Sequence, residues 1–164
     1  MAEISAAVGE FVFSWNLTEL ALDLIISIIY QCAEGSSVRS SIPYKLNDKI
    51  VFCRNCFQGK SVLAPFADSA IPMFAQIETL GDMRHILVHG YPSSITEETK
   101  TLHFNRFRLG SKKTILVHLI ADVSILKIHS DAKECRELAM RMISLCHELL
   151  ATFEIDVEAK KIFV

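Results

Sequence analysis

The chain has no glycine-rich phosphate loop and no Gly-x-Ser-x-Gly elbow, which removes the common nucleotide-hydrolase and serine-hydrolase readings. Its opening, Met1-Ala2-Glu3-Ile4-Ser5, lacks the basic residues that begin a secretion signal. Nor does it have an apolar run free of charge over the width of a bilayer. The most apolar stretch, Leu17 to Tyr30, contains Glu19 and Asp23, whereas a spanning helix wants roughly 20 apolar residues with hardly a charge. These absences predict a buried helix, no membrane partner and a cytoplasmic protein. Internal repeats, low-complexity tracts and linkers are missing too, so 164 residues, half of them apolar, predict a single domain spanning 1–164 with one sizeable core.

Five cysteines is an odd number, and they fall among periodic apolar positions. They are expected to be reduced core residues. Cys53 and Cys56 have Cys-x-x-Cys spacing, but no second pair follows to complete a four-ligand zinc site, and no βαβ pattern surrounds them to suggest thioredoxin-like chemistry. No metal or cofactor is implied.

The net charge of −2 argues against a polyanionic partner until its distribution is considered. From Arg39 to Lys60 five bases, Arg39, Lys45, Lys49, Arg54 and Lys60, face the single acid Asp48. A second block, Arg106, Arg108, Lys112 and Lys113, encloses no acid. Such blocks either present phosphate-binding faces or are ordinary solvated surface.

Apolar positions at Ile4, Ala7, Val8, Phe11, Val12, Trp15, Leu22, Ile25, Ile26 and Ile29 predict a helix from about Ile4 to Gln31, ended by Gly35-Ser36-Ser37. A second helix is predicted from about Pro43 to Gln58, with Leu46, Ile50, Cys53 and Phe57 on its buried stripe. A third, capped by Asp68 or Ser69 with Pro72 in its first turn, carries Met73, Ile77, Leu80, Ile86 and Leu87 and stops at Gly90, two residues before Pro92. The helical period then lapses. Lys100 to Arg108 and Thr114 to Ile120 predict a β-hairpin around Leu109-Gly110-Ser111-Lys112-Lys113, with Leu102 and Phe104 facing Ile115, Val117 and Leu119. Asp122 is the expected N-cap of a last helix to about Phe153, with Val123, Leu126, Leu138, Met142, Leu145 and Leu149 inward, before a tail from Glu154 to Val164. The order is that of a mainly α, antiparallel bundle with a hairpin inserted before its last long helix.

The run Arg84-His85-Ile86-Leu87-Val88-His89-Gly90 closes the third helix. Arg84 and His89 lie about 140° apart around it at 100° per residue, so they share a site only by converging on a cleft. Their chemistry suits RNA cleavage without a metal, in which a ribose 2′-OH attacks the adjacent phosphorus and the 5′-oxygen leaves. Histidine moves protons near neutral pH, while arginine stays charged and grips two phosphoryl oxygens. The plainer alternative is a surface ion pair of Arg84 with Asp82 or Glu78. His85 and His89 also have the i, i+4 spacing of paired metal ligands, but no third ligand is evident. His103, His118, His129 and His147 are expected to face solvent or to be satisfied locally. Glu19 and Asp23, on an otherwise apolar helix, need partners, and Glu19 is a candidate to orient Arg84 or a histidine.

On Arg84, the polar His85 beside it, His89 after four intervening residues and the following Gly90, the sequence resembles the HEPN superfamily. Its ribonuclease members carry an arginine and, a few residues later, a histidine near a helix end. Looser similarity extends to Trp15 and Glu19, to Pro43, Leu46 and Lys49, and to the closing helix. The resemblance implies a four-helix up-and-down core. It further implies a homodimer whose paired Arg and His form a metal-independent endoribonuclease site, working as a toxin or defence component with an antitoxin or regulatory partner. On that basis Arg84 and His89 are candidate catalytic residues supported by His85 and Glu19, with Lys45, Lys49, Arg54, Arg106, Arg108, Lys112 and Lys113 as candidate RNA contacts. Many members are not enzymes, so a HEPN-like module binding RNA, a nucleotide or a protein is the alternative, as is a helical bundle of regulatory or structural role. The hairpin lies outside the minimal family core.

Overall fold

The apolar periodicity resolves into four helices of fourteen residues or more. The computed structural model describes residues 2–109 and 116–155. Its elements are α1 (Ala2–Cys32), α2 (Gly35–Val38), α3 (Leu46–Gly59), a 3₁₀ helix (Ser61–Phe66), α4 (Ala67–His89), β1 (Tyr91–Thr96), β2 (Thr101–Leu109), β3 (Leu116–Ser124) and α5 (Ile125–Thr152). The protein is therefore mainly helical with one three-stranded antiparallel sheet, in the order β1-β2-β3. By length and composition α1 is apolar enough to cross a membrane, and half of its most apolar window is buried within the protein.

The chain forms two compact units, Met1–Glu19 with Ala75–Ala139, and Leu20–Phe74 with Met140–Val164. In the first unit, Ala7, Phe11 and Trp15 of α1 lie inward, and Phe11 and Trp15 stack one helical turn apart with ring centroids 6.4 Å apart. The Thr18 hydroxyl donates to the Cys135 carbonyl at 3.0 Å, tying α1 to α5, and Gln76 Nε2 donates to Glu134 Oε1 at 2.6 Å, tying α4 to α5. In the second unit, Phe57 of α3 meets Phe74 of α4 at 5.5 Å between centroids, and the Cys146 thiol of α5 approaches the Ala21 carbonyl of α1 at 3.6 Å. Gly35 permits a close pass there: an added Cβ would meet the Tyr30 backbone at 2.8 Å and the Phe52 ring at 2.9 Å.

Several expectations need correction. Two strands were predicted before the last helix and there are three, because Tyr91–Thr96 pairs with β2 through an irregularity between Pro92 and Ser94. As the edge strand β1 tolerates a proline that a central strand would not, so Pro92 and two serines disguise it. Leu102 pairs with Val123 and Phe104 with Ala121, in place of the predicted alignment with Val117 and Leu119; Ile115 lies outside the described residues. Asp122 belongs to β3, and Ser124 caps α5 by accepting a hydrogen bond from the Lys127 amide at 3.2 Å. The later start turns Ile125 and Ile128 inward and leaves Leu126 81% exposed. Pro72 falls in the second turn of α4, since that helix follows directly from the 3₁₀ segment. Of the cysteines, Cys53, Cys56, Cys135 and Cys146 are buried, whereas Cys32 is exposed. All five are free thiols. Burial pushes the thiol of Cys56 up to about 11 and that of Cys135 up to about 12, as befits inert core residues.

Candidate functional site

Helix α4 ends at His89, where the Gly90 amide closes on the Ile86 carbonyl at 2.8 Å. Glycine is required at 90 by proximity. A Cβ there would stand 2.5 Å from the Ile86 carbonyl oxygen and 3.0 Å from the Phe104 ring of β2. The end of α4 is thus pressed against the inner face of the sheet, which is the face carrying the buried Leu102, Phe104 and Val123.

At that end the Arg84 and His89 side chains meet, with Arg84 Nη1 3.0 Å from His89 Nε2. The two side chains that helical geometry separates by about 140° are joined directly. A guanidinium can only donate, so His89 Nε2 accepts, and the proton of the neutral ring sits on Nδ1. One turn back, the His85 ring meets the His89 ring edge-on, with centroids 4.9 Å apart. Arg106, on the inner face of β2, completes the group electrostatically. Burial, reinforced by the positive charge of Arg106 and by the neighbouring His89 and Arg84, holds His85 below the usual histidine range, with Asp82 pulling the other way. His89 is exposed, and Arg84 and His85 are half-buried.

Other candidates fall elsewhere. Glu19 is half-buried, and no described residue pairs with it. Lys45, Lys49 and Arg54 belong to the second unit and Arg84 and His89 to the first. Lys49 is engaged by Asp23 at 2.5 Å with its side chain only 14% exposed. Arg39 pairs with Asp48 at 3.3 Å, and Lys60 with Glu34 at 3.1 Å. Lys45 is exposed, while Arg54 is half-buried and engaged. Lys112 and Lys113, and the Arg108 side chain, lie outside the described residues. Among the described residues no cluster of three His, Cys, Asp or Glu side chains is placed to hold a metal ion.

The sheet brings together residues that the sequence did not connect. His103 Nδ1 lies 2.7 Å from Asp122 Oδ1 and its Nε2 lies 2.8 Å from the Thr96 hydroxyl, so one imidazole links all three strands. The carboxylate accepts from Nδ1–H, and Nε2 accepts from the threonine. The partners stand far apart in sequence, and only the pairing of Ser94 and Asp122 with His103 aligns them. His129 is satisfied by Glu10 at 3.0 Å and His118 by Asn105 at 2.7 Å, while His147 is exposed.

No family model, curated protein or solved structure matches this chain.

Proposed function

We propose that the chain is a metal-independent endoribonuclease of HEPN type, with its Arg84 and His89 as the reacting pair. The observation that carries this reading is the 3.0 Å contact between Arg84 Nη1 and His89 Nε2 at the exposed end of α4. An entering phosphodiester offers Arg84 a charge-assisted, bidentate partner that outcompetes a neutral ring nitrogen. Its transfer to the phosphate uncovers the Nε2 lone pair, which takes the proton of the 2′-OH as that oxygen attacks phosphorus. The resulting imidazolium can then protonate the departing 5′-oxygen, or a second histidine can. Arg84 offsets the charge gathering on the phosphoryl oxygens. His85, less basic than usual, stays neutral beside this charge and holds the His89 ring by edge contact.

In this reading a second copy of the chain lines the other side of the cleft, against the helix end where Val88, His89 and Tyr91 are exposed. The cytoplasmic setting, the four-helix HEPN core and a toxin or defence role with a regulatory partner belong to the same proposal, and they rest on the sequence resemblance.

The test is incubation of single-stranded RNA with the protein in excess chelator, alongside His89→Ala. Cleavage that disappears with the histidine supports the reading; cleavage that persists assigns the activity to other groups. A binding module without catalysis is the second reading, favoured by the closed Arg84–His89 contact, which satisfies both side chains with no substrate present. RNA binding by both proteins with cleavage by neither would select it.

A further inference from the structure

The outer face of the sheet holds a second set of reactive groups, assembled from its three strands. His103 alternates along β2 with the buried Leu102 and Phe104, so its imidazole lies on the face opposite the end of α4. Its Nδ1 stands 2.7 Å from Asp122 Oδ1 on β3, and its Nε2 stands 2.8 Å from the Thr96 hydroxyl at the end of β1. The carboxylate fixes the tautomer, so the Nε2 lone pair is aimed at the threonine O–H. A hydroxyl, a histidine within hydrogen-bond reach of it and a carboxylate orienting that histidine are the arrangement that activates an otherwise weak nucleophile. It is recognised by geometry and roles, not by order in the chain. The group is also open to a reactant: Thr96 is half-buried, and the side chains of His103 and Asp122 are 29% and 61% exposed.

The surroundings define the reactant. The exposed Glu97 and Glu98 follow Thr96 directly, and the nearest base in the sequence, Lys100, is held by Glu3 at 2.8 Å. With Asp122 they make the neighbourhood acidic, which repels anionic acyl donors. In the other direction the same face turns apolar. Ile120, 69% exposed, lies two residues from Asp122 on β3, and beyond it the Phe107 and His118 rings stack with centroids 4.5 Å apart. A neutral ester with an apolar acyl chain suits both features.

We infer that Thr96, His103 and Asp122 form an acyl-transfer site for neutral carboxylic esters, with Thr96 as the nucleophile. His103 Nε2 takes the hydroxyl proton as Thr96 Oγ1 bonds to the carbonyl carbon. The tetrahedral intermediate then breaks its bond to the alcohol oxygen, which leaves with the proton from Nε2, and the acyl group stays on Thr96 as an ester. Water, deprotonated by the same nitrogen, attacks that carbonyl; Thr96 Oγ1 leaves with the proton and the carboxylic acid is released. The sum is ester hydrolysis. Asp122 is a positioning residue that holds the ring and offsets the charge of the imidazolium. The site uses neither Arg84 nor His89 and stands or falls separately from the nuclease reading.

The experiment incubates the full chain with p-nitrophenyl butyrate, follows release of p-nitrophenol, and maps the butyryl group by peptide mass spectrometry after an acid quench. Release faster than in buffer is expected, with the butyryl group on Thr96. Thr96→Val, which keeps the branched shape suited to a strand but not the hydroxyl, should lose that label. It should also slow release by about 10²-fold, as should His103→Gln. Thr96→Ser should restore release, and Ser94→Ala, which removes the hydroxyl of the residue paired with His103, should leave it unchanged. Asp122→Asn should lower kcat with little change in KM, and a change in KM alone would remove Asp122 from the site. Circular dichroism checks the fold of each variant. If the three side chains merely staple the strands, wild type and Thr96→Val release p-nitrophenol equally. That result overturns the inference, as does a butyryl group found only on other residues, or release no faster than in buffer.

Discussion

The two units dispose of their positive charge differently. In the second, the basic run from Arg39 to Lys60 is largely spent on structure, with Asp48, Asp23 and Glu34 each engaging one base. In the first, Arg84, His85 and His89 gather at the end of one helix, and the charge of Arg106 reaches His85 there, with Asp82 opposing it. Equal charge in a sequence is thus unequal availability in a fold. An arginine whose partner is a neutral imidazole is free to change partners at small cost, whereas a lysine held by a carboxylate is not.

The contrast predicts graded effects. Arg84→Ala should lower RNA cleavage by about 10²–10⁴-fold, the range expected when an essential charge or proton carrier is lost, and Lys45→Ala should leave it unchanged. Initial rates on one labelled substrate compare the two. Next in size is Gly90→Ala, because the added Cβ collides with the Ile86 carbonyl. A loss of about 1–3 kcal/mol in urea unfolding is expected, with reduced cleavage as the helix end shifts. Lys49→Ala removes a partner of the half-exposed Asp23 and should cost about 1 kcal/mol or less, with cleavage retained.

The smallest effect is a titration. His85 binds its proton less readily in the folded chain than in the unfolded one. Its contribution to stability is therefore present above the ordinary histidine range and is lost as pH falls through that range, where the unfolded chain takes up a proton the folded one resists. NMR of the imidazole should place its midpoint below about 6.5. Arg106→Ala should move that midpoint upward and Asp82→Asn downward, whereas a midpoint insensitive to both would remove Arg106 from the cluster.

The four principal helices were legible because each has a periodic apolar stripe long enough to outweigh local exceptions. What was illegible depended on partners remote in sequence. Tyr91–Thr96 reads as a loop by its proline and serines and becomes a strand only beside β2. Asp122 has the chemistry of a cap, but it is bonded to His103, and Ser124 takes that position. Gly90 was identified as a helix end on general grounds, while its role in admitting Phe104 depends on the packed sheet. The Arg84-His89 spacing was visible, but not that the pair meet within one chain. The stack of Phe107 on His118 was invisible, since the two lie on different strands and only the register joins them.

The central claim is that Arg84 and His89 act as one unit on RNA, and a double-mutant cycle tests it directly. Cleavage of single-stranded RNA in chelator is measured for wild type, Arg84→Ala, His89→Ala and the double variant. Residues that work together give a double variant no slower than the worse single one. Losses that multiply would mean that the 3.0 Å contact between them has no part in catalysis, and wild-type protein that leaves RNA intact would contradict the account outright.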